Sequence, residues 1–156
     1  MSGKNIRLGI GALGISATVL VSIALHEGYR EKAYQDAVGV ATVGYGETTG
    51  VRMGDRTTPE RALVQLLKST EKHAGAIRQC IKVPLYQHEF DAYVSLAYNI
   101  GPGNFCRSTL VKKLNAGDYT GACQEIKRWN KAGGKVLAGL TKRRQKDYRL
   151  CMGEKT

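Results

Sequence analysis

The sequence predicts an α+β fold: a small antiparallel sheet lobe beside a larger helical lobe, with a cleft between them. Three observations lead there. Residues 34–49 form one run rich in Gly, Val, Thr and Tyr, broken by glycines as short paired strands are. From Pro59 onward, apolar residues recur at three- and four-residue spacing, the period of helices packed on one face. The 156 residues carry no internal repeat and no long linker, so one domain of ordinary size holds both lobes and buries its own core.

The elements follow in order. Residues 8–25, LGIGALGISATVLVSIAL, are 18 positions without a charge, preceded by Lys4 and Arg7. Such a stretch suits a signal peptide, a membrane span or a buried helix. As a helix it reaches about 27 Å at ~1.5 Å per residue, against a hydrocarbon core of ~30 Å. Half of its positions are Gly, Ala, Ser or Thr, so its hold on lipid is weak. Lys4, Arg7 and the amino terminus favour an N-inside orientation, which Arg30 and Lys32 on the other flank temper. Ser22 and Ala24 suit a signal-peptidase site after Ala24. Cleavage there leaves Glu27 on a frayed end, so retention is expected. Gly14, Thr18 and Ser22 form a small-residue stripe suited to close packing, in lipid or on a globular body. The chain thus divides into an N-terminal anchor segment, residues 1–25, and a domain, residues 26–156.

A helical pattern continues through 23–32 and carries Glu27. The sheet segment 34–49 follows. Thr57, Thr58 and Pro59 announce a helix with Glu60 in its first turn. Leu63, Leu66, Leu67, Thr70, Ala74 and Ile77 give it one apolar face. Pro84 marks a break. Phe90, Tyr93, Val94 and Ala97 define the next helix, and Gly101-Pro102-Gly103 ends it. Shorter helices are expected over 107–116, 119–129 and 135–150.

Lys and Arg number 24 against 13 Asp and Glu, a formal net charge of +11. Residues 26–58 are nearly balanced, so the basic excess lies downstream. Such a surface favours an anionic partner, and nucleic acid, anionic lipid and cell-wall polymer all qualify. The cluster Lys142-Arg143-Arg144-Lys146 reads as a solvated helix face. No nucleic-acid readout motif accompanies it. Cys80, Cys106, Cys123 and Cys151 match no CxxC pattern. They allow three pairings, and at least one bridge is expected after export. His26 reads as a solvent-facing helix residue beside Glu27, and the isolated His73 and His88 give no metal site.

Glycoside hydrolysis needs an acid for the leaving oxygen and a second carboxylate across the bond. Glu27, near the end of an apolar helix, is expected to be buried and to keep its proton. Asp36 lies nine residues on at the mouth of the Gly-rich sheet, where solvent keeps it ionised. Thr42 follows with a hydroxyl able to orient water. Two carboxylates in unlike settings suit divided acid and base roles. Tyr34, Tyr45 and Trp129 either line a sugar cleft or pack the lobes, and Gly133-Gly134 either lets backbone approach a glycan or makes a plain turn.

The run Glu27-x8-Asp36-x5-Thr42 resembles the catalytic triad of phage-type lysozymes, glycoside hydrolase family 24. The surrounding HEGYREKAYQDAVGVATVGYGET is similar to that family's helix-into-sheet segment. SLAYNIGPGNFCRSTLVKKLNAGDY resembles its core and Gly-containing turn, and RWNKAGGKVLAGLTKRRQKDYRLC its C-terminal block. The likeness spans about residues 25–151. It implies a lysozyme-like fold and an endolysin that cuts the β-1,4 bond between N-acetylmuramic acid and N-acetylglucosamine. Glu27 would be the general acid, Asp36 the base or stabiliser, and Thr42 the residue that positions water. It implies no metal or organic cofactor, peptidoglycan as partner rather than nucleic acid, and a monomer after release. Family members of this type are taken to invert the anomeric carbon, and the carboxylate separation tests that: roughly 6.5–9.5 Å for inverting, about 5–5.5 Å for retaining.

The added N-terminus resembles the signal-anchor-release subset. These are held on the host inner membrane with the domain periplasmic, then freed into the periplasm. Unlike some of them, residues 1–25 contain no cysteine. Two other readings, a wall- or membrane-binding protein without activity and a tethered nucleic-acid-binding domain, lack their signatures: all three triad residues are present and no readout surface is.

Overall fold

Each element begins and ends where local chemistry dictates. In this computed structural model, which describes residues 5–155, the helices are α1 (Ala17–Glu27), α2 (Pro59–Cys80), α3 (Gln87–Ile100), α4 (Pro102–Cys106), α5 (Thr109–Asn115), α6 (Tyr119–Glu125) and α7 (Ala138–Cys151). The strands are β1 (Arg30–Gln35), β2 (Ala41–Gly44), β3 (Lys131–Ala132) and β4 (Lys135–Val136). Two compact units contain them: one runs Ala17–Lys72, and the other joins the segment up to Ser16 with the chain from His73 onward.

In the Ala17–Lys72 unit, α1 buries Val19 and Ile23, one turn apart. It stops at Glu27 because Gly28 takes φ +72°, the left-handed conformation of a helix C-cap. The helical pattern expected through residue 32 is therefore overruled by one glycine, and Arg30 and Lys32 lie on β1. β1 and β2 pair antiparallel, Tyr34 opposite Thr42 and Gln35 opposite Ala41. The register shifts between Arg30 and Tyr34, where β1 bonds outward instead: Ala33 N–H to Asp55 C=O at 2.9 Å and Thr57 N–H to Glu31 C=O at 2.9 Å. Glu31 and Arg56 form an exposed ion pair across this edge, and Arg56 holds the Glu31 carboxyl below its ordinary range. Full exposure makes the pair a weak contributor to stability.

The α2 stripe differs from the expected one. Ala62, Leu66, Thr70, Ala74 and Ile77 are buried, at spacings that stay on one line, whereas Leu63 and Leu67 lie about 100° round the helix and are exposed. Thr70 sits in the apolar line because its hydroxyl donates to Leu66 C=O at 2.7 Å.

In the other unit, α3 is the central element and packs against α4 and α7. Every residue from Glu89 to Ala97 is buried, including the expected Phe90, Tyr93, Val94 and Ala97. Gly101, at φ +88°, ends the helix, and Pro102 opens α4. Ser108 and Asp118 cap α5 and α6 by accepting from Val111 N–H and Gly121 N–H. The basic cluster on α7 is only half solvated: Lys142 and Lys146 are exposed, but Arg143 and Arg144 are buried. Arg144 Nη1 donates to Asn99 Oδ1 at 3.0 Å and Arg144 pairs with Asp147, which accepts from Ser95 Oγ at 2.7 Å. Asn99 on α3 and Asp147 on α7 thus hold Arg144 inside, which a charge run read alone does not reveal.

Residues 8–25 are not one helix in this structure. A 3₁₀ turn at Ile10–Ala12 interrupts an extended course, and regular helix begins only at Ala17. Among the described residues, no helix is long and apolar enough to cross a membrane. The segment 5–16 runs as a strap: Leu8 exchanges backbone hydrogen bonds with Leu85 at 2.8 and 2.9 Å, Arg78 donates to Leu13 C=O at 2.8 Å, and Gln87 to Gly14 C=O at 2.8 Å. Ser16 Oγ donates to Asp91 Oδ2 at 2.7 Å. The inward positions are Leu13, Val19 and Ile23, while Gly14 and Thr18 of the small-residue stripe are exposed.

The cysteines pair as Cys80–Cys106 and Cys123–Cys151, closing sequence separations of 26 and 28 residues. Loops of that size imply a stabilisation of about 3–4 kcal/mol each. Replacing Cys123 and Cys151 together with alanine should lower the unfolding free energy by about that much in denaturant titrations. Unreduced protein in denaturant should return no free thiols.

Candidate active site

The expected catalytic residues all lie in the Ala17–Lys72 unit, within one short stretch of chain. Glu27 is the last residue of α1. Contrary to expectation it is exposed, because the helix ends there and Gly28 turns the chain away. Its carboxylate stands against Gly46: a β-carbon built on Gly46 would lie 3.3 Å from Glu27 Oε2.

A tight turn puts Gly46 there. Val43 and Glu47 exchange backbone hydrogen bonds at 2.9 and 3.0 Å, so only Gly44, Tyr45 and Gly46 reverse the chain. Gly44 has φ +65° and Gly46 φ +87°. A side chain on Gly44 would also meet Ala62 Cβ of α2 at 2.9 Å. Both positions therefore require glycine for conformation, and Gly44 requires it for space as well. Tyr45, between them, faces Tyr29 with ring centroids 5.5 Å apart, and Tyr29 OH donates to Thr57 C=O at 3.1 Å.

Asp36 follows β1 and is half-buried. Its Oδ1 accepts from Val38 N–H at 2.9 Å and Val40 N–H at 2.8 Å, a side-chain turn that fixes the carboxylate. Its own N–H donates to Val40 C=O at 3.0 Å. Thr42, buried on β2, donates its hydroxyl to the same carbonyl at 3.0 Å. One residue's backbone, that of Val40, thus links the Asp36 carboxylate to the Thr42 hydroxyl. Among the described residues no donor occupies Asp36 Oδ2, which is left to bond water or substrate.

A cavity of about 530 Å³ in this unit lies elsewhere. Val43, Glu47, Asp55, Arg56, Glu60 and Arg61 are among its walls, and none of Glu27, Asp36 and Thr42 is. Several of its charges are engaged in structure: Asp55 accepts from Arg52 N–H at 2.8 Å, Arg56 pairs with Glu31, and Glu60 is held below its ordinary range by its own backbone amide and Thr58. Of the aromatic candidates, Tyr34 pairs with Thr42 in the hairpin and Trp129 is half-buried in the other unit, after α6. Sequence reading missed Gly46 and the Val40 carbonyl. The GYG run was the available signal for the first, since a glycine on each side of a lone tyrosine marks a forced turn.

Among solved structures, an endolysin from Escherichia coli O157:H7 phage FAHEc1 superposes with a TM-score of 0.83 at 35% identity, over 94% of this chain and 96% of that one. The fold is therefore lysozyme-like α+β. The phage lysozyme family profile matches residues 24–147. An endolysin of Acyrthosiphon pisum secondary endosymbiont phage 1 is 46% identical over 87% of this chain and 96% of its own length. A SAR-endolysin of Bacteriophage PS119 is 39% identical over 91% of this chain and 87% of its own. The chain belongs to the phage lysozyme family and is a lysozyme-type glycoside hydrolase; within that family it goes with the SAR-endolysins.

Gly46→Ala should disturb the site without removing any candidate catalytic group. It forces a β-carbon against Glu27 and a left-handed backbone on an L-residue, a strain of about 1–2 kcal/mol. Turnover should fall well below wild type while the circular dichroism spectrum stays folded; unchanged turnover would show that Gly46 does not set the Glu27 position.

Proposed function

We propose that this protein is an endolysin that hydrolyses the β-1,4 bond between N-acetylmuramic acid and N-acetylglucosamine in peptidoglycan. Glu27 protonates the leaving oxygen. Asp36 acts as base or electrostatic stabiliser through Oδ2, and Thr42 orients the attacking water. The observation that carries this reading is the pairing of Asp36 and Thr42 through Val40, with Glu27 carried on the adjoining helix end. Oδ1 is spent on two backbone donors, so Asp36 is held rigid while its second oxygen takes no donor among the described residues. Thr42 donates to a carbonyl and keeps its lone pairs to accept from water. The groups need no cofactor for this chemistry, and the basic excess suits the anionic stem peptides of the polymer.

Glu27→Gln keeps the shape of the side chain but has no proton to deliver. Positioned proton transfer is worth about 10²–10⁴-fold, so clearing of permeabilised Gram-negative cells should fall at least that far. Asp36→Asn should lose more activity than Thr42→Val, because a charge opposite a developing oxocarbenium ion outweighs one hydroxyl. A folded Glu27→Gln protein that clears cells normally would rule out the acid assignment.

We further propose that the N-terminal segment, residues 1–25, anchors the chain N-inside in the host inner membrane and later leaves it, freeing a monomeric enzyme into the periplasm. The SAR-endolysin relatives support this, as does the strap formed by residues 5–16 in place of a continuous helix. A β-carbon added to Gly11 or Gly14 would meet nothing within 4 Å, so a side chain can start at both without a clash, and leucine there strengthens the anchor. Each central leucine adds several tenths of a kcal/mol to insertion. Membrane fractionation during lysis should find the Gly11→Leu/Gly14→Leu protein retained longer than wild type.

A further inference from the structure

Arg7 has no part in the hydrolysis proposed above, yet the folded unit holds it from three sides. Its Nη2 donates to Glu89 Oε1 at 2.8 Å and its Nε to Glu89 Oε2 at 3.2 Å. Its guanidinium lies over the Tyr119 ring at 3.6 Å and the Tyr86 ring at 4.3 Å from the centroids. Glu89 is 3% exposed, and the Arg7 side chain 32%. The surrounding groups are themselves fixed. Glu89 Oε2 accepts from Tyr86 N–H at 2.8 Å, and Tyr119 OH donates to Pro84 C=O at 2.8 Å. The Cys123–Cys151 bridge ties α6, which Tyr119 opens, to α7. Every wall belongs to the chain after residue 84, and only the ligand comes from the N-terminus.

Apolar burial alone does not hold the strap. Of its large apolar side chains, Ile6 is 69% exposed and Leu8 47%, Ile10 and Ile15 are half-buried, and Leu13 is buried. In lipid a helix satisfies its backbone internally. A segment that leaves that state needs comparable partners in water, and here they are polar. The bidentate, charge-assisted pair at Arg7, flanked by two aromatic faces, is the strongest of them.

We propose that Tyr86, Glu89 and Tyr119 form a guanidinium-binding site whose ligand is the chain's own Arg7, and that capture of Arg7 there draws residues 5–16 out of the bilayer and keeps them on the folded unit. The second half of this rests on the anchor-release reading above. The site gives Arg7 a sign opposite to its role as a flanking charge. A cation beside an anionic leaflet favours staying in the membrane, whereas a captured guanidinium favours leaving it.

Arg7→Lys separates the two, because it keeps the charge but loses the planar fork and the stacking surface. Glu89→Gln removes the acceptor charge without touching the anchor. In soluble full-length protein, both should speed hydrogen exchange of the Leu8 amide, which donates to Leu85 C=O, by roughly tenfold or more, as expected for losing a hydrogen bond to a charged group. Exchange at the wild-type rate in Arg7→Lys overturns the site. After depolarisation of cells, both variants should pass from the membrane to the soluble fraction more slowly than wild type. Equal rates overturn the role in release. If wild-type protein itself never leaves the membrane, the release reading falls, and the exchange measurement still decides the site.

Discussion

A helix buried on all sides must find partners for every polar group it carries, and besides the Tyr93 hydroxyl α3 carries three such groups between Glu89 and Ser95. Glu89, Asp91 and Ser95 are each at most 6% exposed. Unpaired, groups of this kind cost far more than a surface ion pair returns. Each takes its partner from a distant part of the chain: Arg7 for Glu89, Ser16 for Asp91, Asp147 for Ser95. The N-terminal strap and α7 are therefore fixed on α3 by its polar residues as much as by its apolar ones. Close packing alone would leave many arrangements of these elements nearly equal, and the three pairs select one.

The candidate site works by shorter reach. Glu27, Asp36, Thr42 and Gly46 lie within twenty residues, and the hydrogen bonds described among them join residues at most four apart. Turn geometry does the positioning. Gly28 ends the helix at Glu27, the Asp36 side-chain turn closes the hairpin, and Gly44 with Gly46 brings backbone up to the Glu27 carboxylate. None of this needs a large core, and the unit that holds it contains no cysteine. Both bridges lie in the other unit, where they act on the helices there rather than on Glu27 and Asp36.

This contrast explains what could be read in advance. The Asp36 and Thr42 placement, the start of α2 at Pro59, the buried line of α3 and its stop at Gly101 were legible because their causes are local. The end of α1 was written in the sequence as well, in Gly28, but the apolar spacing on either side hid it. Leu63 and Leu67 joined the wrong face because a three-or-four rule tolerates two adjacent stripes, and only the packed structure chooses between them. Arg144 looked solvated because Asn99 lies 45 residues away, and Arg7 looked like a membrane flank because Glu89 lies 82 residues away. Periodicity reports which residues share a face and says nothing of which remote carboxylate waits for a cation.

The strap also bears on handling the enzyme as an antibacterial reagent. An apolar leader is an obvious segment to trim when solubility is wanted, and the chain reads as though nothing before Ala17 belongs to the catalytic body. Trimming there takes the cation from Glu89 and the hydroxyl from Asp91, leaving Glu89 with the Tyr86 amide and Asp91 with the Gln87 amide, and it uncovers the Tyr86 and Tyr119 rings. The shortened product would trade a weakly greasy tail for a charged hole and an aromatic patch, which is a poor exchange for shelf life. The leader is better kept and its exposed positions, such as Ile6, made polar.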